Sequence, residues 1–232
     1  MSAEYFLKLV DSGNEDACIK YINTYKKFYN EQIRYNYYET TSLIYACRRE
    51  YTAVVKHLLK SGADINMTTM KSDLQRATTA LNCMCDLNKT EMAILLLDNG
   101  AQSVIDEVGY TEYMCAAING DLVLTNALFR HGFDNINIKN KYNRTALMYA
   151  CSYGHYDVAY KLIDYGADFE NIREQPPYNN AQVIMVVNYI RDKYMKIITA
   201  VANDESIYNE MSISFCTTYV PQLIDLIVCY II

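Results

Sequence analysis

Three histidines and eight cysteines are foremost among the side chains of this chain that could attack a bond, shuttle a proton or ligate a metal. Their spacing assembles none of those chemistries. His57, His131 and His155 stand far apart, and no serine, cysteine or carboxylate recurs with any of them at the interval of a nucleophile–base pair or triad. Cys83-x-Cys85 is the only close cysteine pair, with no second pair and no histidine at a zinc-ligand interval. The glycines form no phosphate-binding loop. The sequence therefore predicts no catalytic residues, no metal and no cofactor, and a protein that is not an enzyme.

The elements that hold these residues follow from a second regularity. Thr41, Thr79, Thr111 and Thr145 are each followed 21 positions later by a glycine, Gly62, Gly100, Gly132 and Gly166, and the four units recur at intervals of 38, 32 and 34 residues. Such a period marks a solenoid. Two positions after the threonines stand Leu43, Leu81, Tyr113 and Leu147; five and six after stand Ala46-Cys47, Met84-Cys85, Ala116-Ala117 and Ala150-Cys151. These form the inner face of a first short helix. Positions 13, 14, 17 and 18 give Val54, Val55, Leu58 and Leu59, then Met92, Ala93, Leu96 and Leu97, then Leu124, Thr125, Leu128 and Phe129, then Val158, Ala159, Leu162 and Ile163. An i, i+1, i+4, i+5 stripe is one face of a second helix. The glycine ends it in a left-handed cap. Neither helix can bury its stripe alone, so each unit must pack on its neighbours.

The run from Thr145 to His155 (TALMYACSYGH), followed by Leu162 to Asp168 (LIDYGAD), resembles an ankyrin repeat, and Leu58 to Asn66 (LLKSGADIN) repeats its second half. The resemblance covers about residues 36–170 and implies an all-α ankyrin-repeat solenoid of stacked helix pairs joined by short hairpin-like loops. His155 falls where that family commonly carries a histidine. The family's Thr-Pro-Leu-His turn reads Thr41-Ser-Leu-Ile, Thr79-Ala-Leu-Asn, Thr111-Glu-Tyr-Met and Thr145-Ala-Leu-Met. Loss of the proline and histidine predicts looser helix starts. The family glycine two residues before the threonine survives as Gly109; Glu39, Ala77 and Asn143 replace it, and of these only asparagine readily takes a positive φ.

The frame divides the chain into 1–35, an N-terminal capping unit and linker; 36–175, four repeats at about 36–68, 74–105, 106–138 and 140–172; and 176–232, degenerate C-terminal helical or capping repeats. Phe6, Leu9, Val10, Ala17, Cys18, Tyr21 and Ile22 carry the first cap, with Tyr25 in its glycine slot and a Lys- and Tyr-rich linker from Lys26 to Tyr38. Beyond Pro176-Pro177 a frame started at Ile184 places Val186, Tyr189, Ile190, Ile197, Ile198, Val201 and Ala202 inside, and another started at Ile213 fits Phe215, Tyr219, Leu226 and Ile227. With 51% hydrophobic residues in 232, the chain has enough apolar side chains for a continuous core. Cys47, Cys85 and Cys151 share one buried slot and Cys83 and Cys115 another, which predicts core thiols and a reducing compartment. The absence of a basic, apolar leader and the charge of Asp225 within the C-terminal apolar run agree with a cytoplasmic protein, the nucleus not excluded, or the host cytoplasm if the chain is viral.

What the resemblance implies for function is a partner protein bound along the concave groove and loop tips. The corresponding slots here hold Tyr37, Tyr38, Arg48, Arg49, Arg76, Tyr110, His131, Lys141, Tyr142, Arg144, Tyr153 and Tyr165, with Asp86 and Glu107 as the acids, in a chain of net charge -6. Tyrosine and arginine dominate interface hot spots because they supply area and directed hydrogen bonds at modest entropy cost. The expected partner is another protein, a host protein with an acidic or polar surface if the chain is viral. Nucleic acid is not expected, since overall acidity repels phosphate; no membrane is expected either. A second reading rests on Val220-Pro-Gln-Leu-Ile224 with Val228 and Ile231, which resembles the start of an F-box; it implies a ubiquitin-ligase scaffold held through Pro221 to Ile232.

Overall fold

Each of the four repeat threonines closes the start of a helix. The Oγ1 atoms of Thr41, Thr79, Thr111 and Thr145 accept the backbone N–H of Ile44, Asn82, Met114 and Met148 at 3.1, 3.2, 3.3 and 3.3 Å. Side-chain capping of this kind satisfies an otherwise orphaned N–H. The helix starts are thus held firmly without the family's proline, contrary to the looseness expected. At Thr79 the neighbour Asn82 completes a reciprocal capping box.

The computed structural model describes residues 2–35, 38–71, 76–105, 108–169 and 180–202. Helices α1 (Ala3–Asp11) and α2 (Glu15–Thr24) come first, then a 3-10 turn (Phe28–Asn30) and strands β1 (Ile33–Tyr35) and β2 (Tyr38–Thr40). The repeats follow: α3 (Ser42–Arg48) with α4 (Thr52–Lys60), strands β3 (Thr69–Lys71) and β4 (Arg76–Thr78), α5 (Ala80–Asp86) with α6 (Thr90–Asp98), α7 (Glu112–Asn119) with α8 (Leu122–Arg130), and α9 (Ala146–Tyr153) with α10 (Tyr156–Asp164). Helix α11 (Asn180–Ala202) ends the described chain. Among the described residues, no helix is long and apolar enough to cross a membrane.

The helices stack in two rows. First helices pack α1 on α3, α3 on α5, α5 on α7 and α7 on α9, and second helices pack α2 on α4, α6 on α8 and α8 on α10. Leu43, Leu81, Tyr113 and Leu147 are buried, as are Val54, Val55, Leu58, Met92, Ala93, Leu96, Leu97, Leu124, Leu128, Val158, Ala159, Leu162 and Ile163. Phe129 departs from its stripe and is 46% exposed, its ring stacked 3.6 Å from that of Tyr165. Leu59 is half-buried. In α1, Leu7 is fully buried and Leu9 is not.

Second helices end in left-handed glycines, with Gly62, Gly100, Gly132 and Gly166 at φ 95, 86, 75 and 89°. Three residues past each helix the chain folds back: the N–H of Ala63, Ala101, Phe133 and Ala167 donates to the carbonyl of Leu58, Leu96, Leu128 and Leu162. Before the threonines, the turn geometry splits by residue type. Gly109 and Asn143 take positive φ, 79 and 57°. Glu39 and Ala77 instead lie in antiparallel strands, β1 pairing with β2 and β3 with β4.

Two stretches differ from the sequence reading. Residues 26–38 are more than a linker, because Phe28 and Tyr29 enter the core and the Phe28 ring lies 5.0 Å from both Phe6 and Tyr21. The frame started at Ile184 predicts a helix, a turn and a second helix, yet α11 runs unbroken. In the repeats the ninth residue after the threonine turns the chain left-handed, at Glu50, Asn88, Gly120 and Gly154. The equivalent Lys193 stays helical, and its ammonium reaches Ile163 O at 3.1 Å and Asp164 at 3.0 Å. Val186 and Ile190 of this helix are buried as expected, joined by Val187. The frame started at Ile213 and the F-box-like run lie outside the described residues.

Among the described residues, Cys18, Cys47, Cys83, Cys85, Cys115 and Cys151 are buried thiols outside any disulfide. Burial pushes the Cys18 thiol up to about 11 and that of Cys151 to about 12. Those of Cys47, Cys85 and Cys115 are also raised, first by burial and then by neighbouring acidic or thiol groups. Thiolate, the reactive form, is suppressed at these five.

Candidate functional site

The loop before α9 builds the densest group of the surface residues expected from sequence. Asn140 is its organiser. Its Oδ1 accepts the N–H of Tyr142 at 3.0 Å and of Arg144 at 3.1 Å, its own N–H donates to Arg144 O at 3.0 Å, and its Nδ2 donates to the Tyr149 hydroxyl at 2.8 Å. An asparagine that binds its own backbone two residues on fixes a turn. Asn143 completes it in the left-handed region. The Lys141 N–H donates to Val108 O at 2.8 Å, tying this loop to the preceding repeat.

On that fixed backbone the side chains converge. The hydroxyls of Tyr110 and Tyr149 lie 3.0 Å apart with ring centroids at 5.9 Å. The Arg144 guanidinium stands 5.6 Å from the Tyr149 ring centroid, and the Lys141 ammonium 5.1 Å from that of Tyr142. Cation and ring at that range attract through the ring quadrupole. Tyr142 is 58% exposed, and Tyr153, at the end of α9, equally so. The arrangement is a rigid rim of aromatic and cationic groups with solvent on one side.

The other expected residues divide. Arg49 is committed to the protein itself: its guanidinium pairs with Asp11, whose carboxylate also accepts the hydroxyls of Tyr45 at 2.6 Å and Tyr35 at 2.7 Å. Burial raises the Asp11 carboxyl, but those three hydrogen bonds and the Arg49 charge outweigh it and hold the group below its ordinary value. Arg48 ends α3 and is half-buried. His131 and Tyr165 sit at the ends of second helices. His131 Nε2 lies 3.1 Å from Asp98, and the Tyr165 hydroxyl donates to Asn126 at 2.6 Å. Tyr38 and Arg76 stand in β2 and β4; Tyr37 lies outside the described residues.

Sequence reasoning missed Asn140, Tyr149 and Asp11. Tyr149 looks like one more core residue of a first helix, and it is only 5% exposed; its role comes from the hydroxyl at its tip. Asn140 carries a usable signal, an asparagine three residues ahead of another in a Lys-rich turn. Asp11 has none, because its partners lie 24 to 38 residues away.

The other histidines are held by backbone carbonyls. His155 Nε2 lies 3.1 Å from Ile118 O of the preceding repeat, and His57 Nδ1 2.9 Å from Ala53 O one turn back in its own helix. Among the described residues, no group of three or more His, Cys, Asp or Glu side chains is arranged to hold a metal ion.

Comparison with known proteins agrees with the repeat frame. A family model for ankyrin repeats in three copies matches residues 81–172, and one for a single ankyrin repeat matches residues 38–70. The chain is similar to ankyrin repeat protein FPV031 of fowlpox virus (strain NVSL), 33% identical over 152 residues, which covers 63% of this chain and 42% of the relative. It is also similar to ankyrin repeat protein FPV014 of the same virus, 31% identical over 134 residues, covering 55% of this chain and 29% of the relative. The chain thus matches less than half the length of either relative.

Proposed function

We propose, for a chain that belongs to the ankyrin-repeat family, a non-catalytic role: it binds a partner protein along the first-helix face and the adjoining loop tips. The first helix pair and α11 would close the two ends of the stack. Ankyrin repeats are generic protein-interaction modules, and both relatives are viral. A host-cell protein is therefore the partner class we favour, met inside the cell.

The observation that carries the reading is the Lys141–Tyr142 tip. An aromatic ring of which more than half is exposed normally rotates freely in solvent. Here it rides on a turn fixed by Asn140, so little backbone entropy is left to lose on binding. The ring and the nearby Arg144 match the residue types that anchor interfaces. The F-box reading has no structural observation in its favour.

The test is site-specific photocrosslinking in host cells. A benzoylphenylalanine at position 142 or 153 should give one discrete adduct, and the same group at the exposed second-helix position 53 should give none. Equal adducts from all three positions would remove this face as the binding site.

A further inference from the structure

A carboxylate sits where every other repeat has a small residue. The position after the capping threonine is Ser42, Ala80 and Ala146 in three units and Glu112 in the third, and all four are essentially inaccessible to solvent. Burying a carboxylate costs several kcal/mol unless it is compensated. Among the described residues, no lysine, arginine or histidine forms an ion pair with Glu112.

Neutral donors from neighbouring units surround it instead. Oε1 accepts Asn82 Nδ2 of α5 at 3.1 Å; Oε2 accepts Ser103 Oγ at 2.8 Å, from the loop before α7, and Asn135 Nδ2 at 2.8 Å, from the loop after α8. Asn135 Nδ2 also meets Ser103 Oγ at 2.6 Å. The second and third repeats are thus joined through one acid. Asn135 Oδ1, in the same network, is buried with no hydrogen-bond partner among the described residues. It is a spare acceptor beside an acid that lacks a counter-charge.

We infer that Glu112 is a proton-operated latch across the second and third repeats, firmest with a proton bound and slackened when the proton is lost. A proton taken from solvent turns one acceptor oxygen into a donor, and half a turn of the Asn135 amide presents Oδ1 to it. The buried charge is then removed and Oδ1 gains a donor, while Nδ2 gives up its bonds to Glu112 and Ser103 for the side that Oδ1 left. The ionisable groups that act on the same junction are Cys85 and Asp86 of α5, Tyr113 and Cys115 of α7 and Asp121 at the start of α8; each is neutral or negative at pH 7, so none favours the ionised form. Burial raises the Glu112 carboxyl above its ordinary value, against the pull of its own backbone N–H, Ser103, Asn135 and the Val104 N–H. Since the folded value lies above the unfolded one, the latch contributes fully below about pH 4.3 and its contribution is lost as pH rises through the folded value. Tyr110 stands two residues away on the same segment, so the proton state also governs how firmly one side of the Tyr110–Tyr149 contact is held.

Native-state hydrogen exchange and carboxyl carbon NMR on the full chain test this without any partner. In the wild type, protection of the amides from 103 to 113, corrected for intrinsic exchange, should fall about tenfold between pH 5 and pH 7, while Glu112→Gln should show a flat profile. The Glu112 carboxyl signal should titrate above the range of the exposed glutamates. A midpoint at or below that range, or the same pH profile in wild type and Glu112→Gln, overturns the latch. Should Glu112→Gln fail to fold, the wild-type carboxyl titration decides alone. Failure of the latch would leave the proposed interface untouched, because the crosslinking result does not depend on it.

Discussion

The imidazole of His155 occupies the space that a Cβ on Gly120 would need: such an atom would stand 2.6 Å from Nδ1 and 2.8 Å from Cε1. Gly154 holds the equivalent turn one repeat later at φ 75°, and a Cβ there would meet nothing within 4 Å. Left-handed backbone alone does not demand glycine here, because Glu50 and Asn88 adopt it in the same slot. The neighbour does. Gly120→Ala should therefore cost the left-handed strain of about 1–3 kcal/mol plus displacement of a ring whose Nε2 meets Ile118 O. Gly154→Asn should cost less than about 1 kcal/mol, since asparagine tolerates this region. Urea titration of both variants checks the ranking, and equal losses would refute the steric account.

Leu96 lies in α6 with no solvent exposure. Leu96→Ala should cost about 2–5 kcal/mol, the range for a buried leucine whose cavity cannot fully collapse. Phe129 occupies the neighbouring stripe position one repeat later but is 46% exposed, so Phe129→Ala should cost well under that, about 1 kcal/mol, mainly the stack on Tyr165. Chemical denaturation of the pair checks it. A larger loss at Phe129 than at Leu96 would mean that the burial assignment is wrong.

Those two residues also show what a sequence can and cannot reveal. Stripe positions were legible because every repeat meets the same packing demand, so four copies vote on each slot. Phe129 escaped because its fate depends on Tyr165, an aromatic partner in the next unit. The same holds at the surface: Lys141, Tyr142 and Arg144 could be listed from their slots, but their grouping required the Asn140 turn and the Tyr149 hydroxyl. Arg49 was placed on the same face, although Asp11 in the first helix claims its charge. Pairings between units leave no periodic trace, whereas pairings within a unit do. At the C-terminal end the frame found the buried side of α11 and missed its continuity, because Lys193 offers no break.

Acid should loosen the N-terminal end. The Asp11 carboxyl is held below its unfolded value, so its contribution to stability is present above about pH 3.9 and is lost as pH falls through the folded value. Asp11→Asn keeps the shape but removes the charge opposite Arg49 and weakens acceptance from Tyr35 and Tyr45. The variant should be less stable than wild type at pH 7, and the gap should close on acidification below about pH 4. Tyr35, whose hydroxyl is pushed up to about 12 by its bond to Asp11, should titrate lower in the variant. An unchanged Tyr35 titration, followed by ultraviolet absorbance or NMR, would show that the bond does not form in solution.

The interface makes the sharpest demand. Lys141, Tyr142 and Tyr153 are exposed and belong to no helix-pair core, so Lys141→Ala, Tyr142→Ala and Tyr153→Ala combined should leave thermal unfolding within a few degrees of wild type. If each contributes about 1–2 kcal/mol as an anchor, together they should weaken the complex by more than about a hundredfold. Most of that loss should appear as faster dissociation. Raised salt should instead slow association of the wild type, because Lys141 steers the encounter rather than holding it. Lys56→Ala with Lys60→Ala, both exposed on the second helix α4, is the matching control and should change affinity less than about threefold, the effect of a charge outside the contact. Calorimetry or surface plasmon resonance with the crosslinked partner measures all three proteins. If the second-helix pair weakened binding more than the triple variant did, the partner would sit on the opposite side of the stack and the rigid Lys141–Tyr142 tip would need another explanation.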